Sequence, residues 1–382
     1  MSKLHLSSSA SIEQHETTWY VFLNSKSFRI NETIAIVLNK FKEPITINDV
    51  LKELIPNSPS KSNEILDSIT NFLLEMKKIG VLKRENAKDY VAIPQPLFEL
   101  NSTHLEYKIE TLLLINNHIQ IYKVFNKKRK KQSVIKLFAH KVEESINDRK
   151  LIKNYEMFLQ EIAITSSIPP QENINEYIKS ATIYDYLFFE IDFIDGETLS
   201  KCVKLNSIEN KIKNDIAKQL LSAVSHLHLN NIIHSDIHAR NFMINTDNKV
   251  KMIDFGFSHN LENKTLTKQY MVKGGVTHYM TPERVHVHSY KFSNEYSTKQ
   301  SEVYQMGLIL YALYKGLNPF NKVKDEITWK EMAQDILTRE FNEEISGEEN
   351  IDIIIRKALK IKPEDRFLSC VEMHNEFIKS IN

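Results

Sequence analysis

The chain has 382 residues, 42% hydrophobic and 26% charged, and 50 Lys and Arg against 49 Asp and Glu leave a formal net charge of +1. This composition is that of an ordinary globular protein with room for two domains or three small ones, and its charge balance provides no global attraction to nucleic acid or anionic membrane. Two cysteines, Cys202 and Cys370, rule out a disulfide framework and a cysteine-based zinc site, and they fit a reducing cytoplasm. No apolar run approaches the roughly 18 residues of a membrane span, and the start, Met1 to Leu6, lacks a signal-peptide core.

Residues 1–100 read as a small domain of their own. Thr18 to Leu23 and Ser27 to Ile30 form a hairpin across Asn24-Ser25-Lys26, and His5 to Ile12 is a third strand. Asn31-Glu32-Thr33 opens a helix whose apolar positions are Ile34, Ile36, Val37, Leu38 and Phe41, and Pro44 breaks the chain. Thr46 caps a second short helix, and a third runs from Asn63 to Lys78 until Gly80 ends it.

Strands followed by three short helices make this a winged-helix-like unit. From Trp19 to Leu82 it resembles the PqqD-like recognition elements that capture leader peptides of ribosomally made, modified peptides. The resemblance rests on Phe28-Arg29-Ile30-Asn31-Glu32-Thr33, on Ile45-Thr46-Ile47-Asn48-Asp49-Val50-Leu51 and on the closing Phe72-Leu73, Met76 and Gly80-Val81-Leu82. It implies a precursor peptide added as a strand at the Phe28–Ile30 edge and packed against helix 63–78. A DNA-binding winged helix or a dimerisation domain is the plainer alternative. Glu64, Asp67 and Glu75 against Lys77 and Lys78 weigh against DNA, because a helix entering a groove is visibly basic.

From Glu110 the pattern becomes strand-like, over Leu112–Ile115, Ile119–Phe125 and Ser133–Phe138. Between the first two lies Asn116-Asn117-His118, a turn without glycine, where Asn tolerates left-handed backbone. The run Lys127-Lys128-Arg129-Lys130-Lys131 reads as a solvated loop tip, with a contact to acidic substrate or nucleic acid as the alternative. Leu187 to Ile191 is an apolar strand that empties into Asp192-Phe193-Ile194, and Asn214 to Leu229 has helical apolar periodicity.

Residues 234–256 hold the densest chemistry: His-Ser-Asp-Ile-His-Ala-Arg-Asn, a strand over Phe242–Ile244, a second over Val250–Ile253, then Asp-Phe-Gly. Phosphoryl transfer needs a carboxylate to orient a hydroxyl, and an amide oxygen and second carboxylate to hold Mg²⁺. Asp236, Asn241 and Asp254 supply these at one rim if the two strands form a hairpin.

This order resembles the catalytic and metal loops of the protein kinase superfamily. The resemblance covers residues 109–380 and implies an α+β, bilobal fold with lobes 101–195 and 196–382. It also implies ATP and Mg²⁺ as cofactors. Val134-Ile135-Lys136-Leu137 is similar to the third kinase strand, so Lys136 would hold phosphate and pair with a helix glutamate, Glu161 in preference to Glu156. Backbone groups of Asp192 to Ile194 would bind adenine, with Ile191 as gatekeeper, and Asn116 and Asn117 would stand at the phosphates in place of a glycine-rich cover. Gly275 to Glu283 is similar to the end of an activation segment, with Glu283 paired to Arg366, and Glu302 replaces an aspartate that braces the catalytic loop. Three departures stand out: Ser235 in place of an arginine, His238 in place of a lysine, and Arg240 as a cation four residues after Asp236 that would meet charge on the γ-phosphate.

The leading expectation is a cytoplasmic kinase of Ser or Thr hydroxyls on a precursor peptide held through its leader. Phosphate either persists or leaves by elimination, for which a separate lyase or cyclase is needed. A leader-binding pseudokinase scaffold and, because of His238, a small-molecule hydroxyl kinase are the alternatives; Thr281-Pro282-Glu283 argues against the latter.

Overall fold

The computed structural model describes residues 3–7, 10–15, 18–23, 26–30, 32–54, 62–78, 81–84, 95–148, 151–262, 277–285, 297–320 and 329–381. Asn24, Ser25, Asn31, Gly80, Gly275 and Val276, all used in the sequence argument, lie outside them. The chain divides into two compact units, Met1–Gln95 and Pro96–Asn382.

In the first unit, β1 (Leu4–Leu6) pairs antiparallel with β5 (Leu82–Arg84). β2 (Ala10–His15), β3 (Thr18–Leu23) and β4 (Lys26–Ile30) form a separate antiparallel sheet in that order. The single strand expected over His5–Ile12 is thus two strands in two sheets. Leu4 and Leu82 are both buried, and a partner so far along the chain leaves no local signal at Leu4–Leu6. β4 borders only β3 among the described residues. Three helices follow: α1 (Glu32–Asn39), α2 (Ile47–Leu54) and α3 (Ser62–Lys78), with a 3-10 turn at Lys40–Lys42. Thr46 does cap α2: its Oγ accepts the Asp49 N–H at 3.2 Å and donates to the Asp49 carboxylate at 2.6 Å. Val21, Leu38, Phe41, Val50 and Leu73 form the centre of this small core.

The second unit opens with an antiparallel sheet of β6 (Thr103–His104), β7 (Tyr107–Ile115), β8 (Ile119–Asn126), β9 (Lys131–Lys141), β10 (Tyr177–Ile183) and β11 (Tyr186–Asp192). Their spatial order is β10-β11-β9-β8-β7-β6. β10 has no sequence signature: it is an outer strand with one fully buried side chain, Ile183, so apolar and polar residues do not alternate. Helices α4 (Val142–Asn147) and α5 (Ile152–Ser167) follow β9, and α5 places Phe158 against Phe138 and Phe189 of the sheet.

The rest is mainly helical. β12 (Gly196–Thr198), α6 (Leu199–Lys204) and α7 (Asn210–Leu229) lead to β13 (Ile232–Ile233), β14 (Phe242–Asn245), β15 (Val250–Met252) and β16 (His259–Asn260). Then come α8 (Lys299–Lys315), α9 (Trp329–Thr338), α10 (Glu349–Ala358) and α11 (Cys370–Ile381). α8 is buried all round from Ser301 to Leu313, the mark of a helix at the centre of a core. At Gly307 a Cβ would come within 3.0 Å of Ala358 and Leu359, so glycine is what lets α8 and α10 approach.

Candidate active site

A short hairpin and the two-residue ladder that encloses it set the rim. β13 pairs with β16, and β14 with β15, so the loops 234–241 and 253–258 come together. The Ile253 N–H donates to the Asn241 carbonyl oxygen at 2.8 Å, and the Asn241 amide donates to the Asp236 carbonyl oxygen at 2.9 Å. Asp236, Asn241 and Asp254 therefore sit on one hydrogen-bonded thread.

Two residues of this thread carry backbone that side chains rarely adopt, Ser235 at φ +68° and Asp254 at φ +63°. Such conformations persist only where the surroundings fix them. At Ser235 the fixing group is Glu302: its carboxylate accepts the Ser235 N–H at 2.7 Å and is itself wholly buried. Its other oxygen lies 2.8 Å from His228 Nε2, while His228 Nδ1 accepts the Cys370 N–H at 3.0 Å. That last bond assigns the ring proton to Nε2, so His228 donates to Glu302. Glu302 thus makes the bracing contact expected of the shorter aspartate.

Asp254 turns on its own carboxylate, whose Oδ1 accepts the Gly256 N–H at 3.2 Å. The same oxygen is 3.3 Å from Lys136 Nζ, and Lys136 donates to Glu161 at 2.5 Å. Of the two glutamates considered, Glu161 is the partner. Burial works against the Lys136 charge, but Asp254 and Glu161 outweigh it and raise its pKa. Lys136 in turn holds the Asp254 carboxyl below its usual range, and burial pushes Glu161 up. A Cβ on Gly256 would meet Asp254 Oδ1 at 3.3 Å and Glu161 Oε2 at 3.5 Å, so glycine keeps the two carboxylates close to the lysine.

Next to this charge chain lies a cavity of about 350 Å³ between the β7–β8 hairpin, α5 and the Asp254–Phe257 turn, lined by Asn116, His118, Lys136, Asn154, Glu161 and Asp254 among others. The turn at its mouth is closed differently from expectation. Neither Asn116 nor Asn117 has left-handed backbone. Asn116 instead spends its side-chain oxygen on the N–H groups of His118 (2.9 Å) and Ile119 (2.7 Å), and the Asn117 carbonyl oxygen accepts from His140 Nε2 at 2.8 Å.

At the end of β11, the Asp192 N–H donates to the Glu176 carbonyl oxygen at 3.1 Å and the Asp192 carbonyl oxygen accepts from Asn175 at 3.0 Å. The Ile194 N–H has no partner among the described residues. Arg240 is exposed and makes no ion pair among the described residues. His238 is buried with Nε2 at 3.3 Å from the Asp236 carboxylate. His234 is also buried and packs on Phe255 at 5.4 Å between ring centroids. Burial lowers its pKa, so it is a neutral packing group.

Two further expectations meet the structure. Arg366 grips Glu283 with both terminal guanidinium nitrogens, at 3.1 and 2.8 Å, and Ser301 adds a third bond at 2.8 Å. The basic run is a solvated tip at Lys127, Lys128, Lys130 and Lys131, all exposed, and Arg129 alone departs from that expectation. It folds back to donate to Ser133 at 3.1 Å and to Asp192 at 2.8 Å, beside the buried Glu190 that also accepts from Tyr107 and Asn126. No signal in the sequence marks this network, because its members are spread from residue 107 to 192 and meet only in the folded sheet.

The family model for the protein kinase domain matches residues 118–378. The chain belongs to the protein kinase domain family. Among curated relatives, serine/threonine-protein kinase PrkC of Bacillus subtilis is 28% identical over 192 residues, 50% of this chain and 28% of the relative. A probable serine/threonine-protein kinase of Clostridium acetobutylicum is 26% identical over 274 residues, 71% of this chain and 39% of the relative. The probable serine/threonine-protein kinase PknB of Lactococcus lactis is 30% identical over 174 residues, 45% and 25% respectively. The chain thus spans between a quarter and two fifths of the length of these kinases. The family match starts at residue 118, after β7 and the Asn116-Asn117 turn. No helix among the described residues is long and apolar enough to cross a membrane.

Proposed function

We propose that this chain transfers the γ-phosphoryl group of ATP to a hydroxyl of a peptide. The observation that carries the reading is Lys136 held between Glu161 and Asp254, beside the thread that joins Asp254 to Asn241 and Asp236. In this reading Lys136 binds the nucleotide phosphates and Glu161 fixes its position. Asp236 accepts the hydroxyl proton, with His238 against it.

The donor set fits a magnesium ion. Asn241 commits its amide N–H to Asp236, which leaves the amide oxygen, and Asp254 commits Oδ1, which leaves Oδ2 at a half-exposed carboxylate. Two hard oxygens completed by phosphate and water suit Mg²⁺. When bound, that ion would neutralise charge on the phosphates. The hinge donor to adenine falls to the Ile194 N–H, since the Asp192 N–H is already bonded within the chain. Asp192 contributes its carbonyl oxygen, which can accept a second bond.

The finer reading concerns the substrate: a ribosomally made precursor peptide, captured through its leader by residues 1–95 and modified on Ser or Thr. β4 at the end of its sheet supports it, because an outer strand offers unpaired N–H and C=O groups to an incoming strand. Tethering raises the effective concentration of the core peptide at the rim, so the kinase unit needs little sequence selectivity of its own. The test is incubation of the full chain with γ-³²P-ATP, Mg²⁺ and a Ser/Thr-rich peptide. Transfer that EDTA abolishes is the expected result; absence of transfer to any hydroxyl peptide, with ATP bound, would favour a leader-binding scaffold.

A further inference from the structure

The loop over the cavity poses a problem for a nucleotide. With no glycine between Leu112 and Phe138, its backbone is less free to approach phosphate. At the tip, the N–H groups of His118 and Ile119 are taken by Asn116 Oδ1 and that of Asn116 by the Ile119 carbonyl oxygen. Only the Asn117 N–H has no partner among the described residues, so most of the backbone donors of such a hairpin are withdrawn and side chains must make up the difference.

His118 is the side chain in position. It is half-buried at the cavity wall with Lys136 and Asp254, and stacks on Phe138 at 6.3 Å. Its two ring nitrogens meet only long contacts: Nδ1 is 3.3 Å from His140 Nε2, and Nε2 is 3.3 Å from Asn154 Nδ2 on α5. His140 Nε2 must carry its proton, because it donates to the Asn117 carbonyl oxygen. Both groups that face His118 are then donors, yet a neutral imidazole has one acceptor and one N–H of its own. The ring N–H is left without an acceptor, at the wall of a cavity that also presents the Lys136 ammonium. A phosphate oxygen satisfies the His118 N–H and the Asn154 amide together.

We propose that His118, seconded by Asn154, contacts the nucleotide phosphates from the cover, beside Lys136, and replaces backbone donors of a glycine-rich loop. The inference rests on the ATP reading above. It has a structural corollary: His118 joins the nucleotide cover to α5, the helix that carries Glu161, so a bound triphosphate would tie the cover to the Lys136–Glu161 pair. Turning the Asn154 carboxamide over would satisfy the ring without a ligand, and for this reason Asn154 belongs in the test.

The experiment is calorimetry of ATP, ADP and adenosine on the full-length wild type, His118→Ala, His118→Gln and Asn154→Ala, with melting temperature as the folding control. Wild type that binds adenosine and ATP alike, with no gain from phosphates, would sink the ATP reading itself. If wild type prefers ATP, the expected result for His118→Ala is a loss of about tenfold in ATP affinity, the worth of a charge-assisted hydrogen bond, with adenosine affinity and melting temperature unchanged. His118→Gln, which keeps an N–H donor, should recover part of the loss, and Asn154→Ala should lose less than His118→Ala. ATP affinity unchanged in His118→Ala, or an equal fall for ATP and adenosine, would overturn the proposal and leave His118 as a packing group on Phe138.

Discussion

The rim and the cover of the cleft are built on opposite plans. At the rim, backbone is forced into unusual conformations and polar atoms are held from behind: Glu302 fixes Ser235, His228 fixes Glu302, and Cys370 fixes His228. At the cover, the Asn116–His118 turn is held by its own side chain, and its ring nitrogens meet only long contacts. The rim keeps Asp236, Asn241 and Asp254, with the departures Ser235, His238, Arg240 and the longer brace Glu302 around them. The cover departs further, with no glycine between Leu112 and Phe138. Constraint follows the transition state, because charge that develops there must meet groups already in place.

The largest effect should come from the rim itself. Asp254→Asn and Asp236→Asn each remove a carboxylate that the proposed chemistry requires. Phosphoryl transfer should fall by three orders of magnitude or more, about 4 kcal/mol in barrier, with melting temperature nearly unchanged. Single-turnover ³²P transfer measures it, and a variant that keeps its rate would reassign these carboxylates to structure.

The brace comes next. Glu302→Ala leaves the Ser235 N–H and the His228 N–H buried without partners, a penalty of about 3–5 kcal/mol for a broken buried network. The melting temperature should drop clearly, and kcat should fall about a hundredfold as the loop loses its position. Glu302→Asp, with the shorter side chain, separates the two functions of the residue. If the brace depends on reach, this variant keeps much of the stability and loses about tenfold in kcat. Equal activity would show that the loop adjusts to either length.

These same contrasts explain what could be read in the sequence. Asp236, Asn241 and Asp254 were legible because they are close in the chain and their spacing is fixed by two short strands. Lys136 and Glu161 were legible through order and interval, even though 25 residues separate them. Glu283 and Arg366 were legible by the same means. What escaped depends on tertiary meeting alone: β1 with β5, β10 at the sheet edge, and the Tyr107–Glu190–Arg129 network that makes one residue of a charged run, Arg129, a clasp on the hinge. The turn at Asn116 was read from backbone propensity, and a side-chain bond took its place.

A smaller effect tests recognition by the first unit. Ile30→Pro removes an N–H at the end of β4, the outer strand, and disturbs a buried position. Leader affinity should weaken about tenfold, the worth of a lost main-chain bond and some packing. ATP binding and slow phosphorylation of the free core peptide should persist. Fluorescence polarisation of a labelled leader, beside calorimetry of ATP, separates the two. Equal leader binding by wild type and variant would refute capture at this edge, and specific binding of duplex DNA by the first unit would point to a regulatory role.

The smallest expected effect is none at all, and it concerns Ser235. A kinase that is switched on by a phosphate in its activation segment needs a cation beside Asp236 to receive that charge. Here the residue before Asp236 is a serine whose hydroxyl bonds to His259 Nδ1 at 3.0 Å and whose N–H is committed to Glu302. Burial lowers the pKa of His259, so at neutral pH it brings no charge to the pair. Arg284, the other cation near Asp236, is buried, which lowers its pKa, and Glu283 and Asp236 act against that without reversing it. A phosphate arriving at the segment would therefore find no exposed arginine at the catalytic loop other than Arg240, on the far side of His238 in the sequence. Enzyme treated with a phosphatase and then repurified should keep its rate within about twofold, well under the tenfold that 1.4 kcal/mol of a lost charge pair would cost. Loss of most activity, restored by autophosphorylation, would show that Arg284 or Arg240 serves as the receiving cation after all, and Arg284→Met and Arg240→Met would tell which.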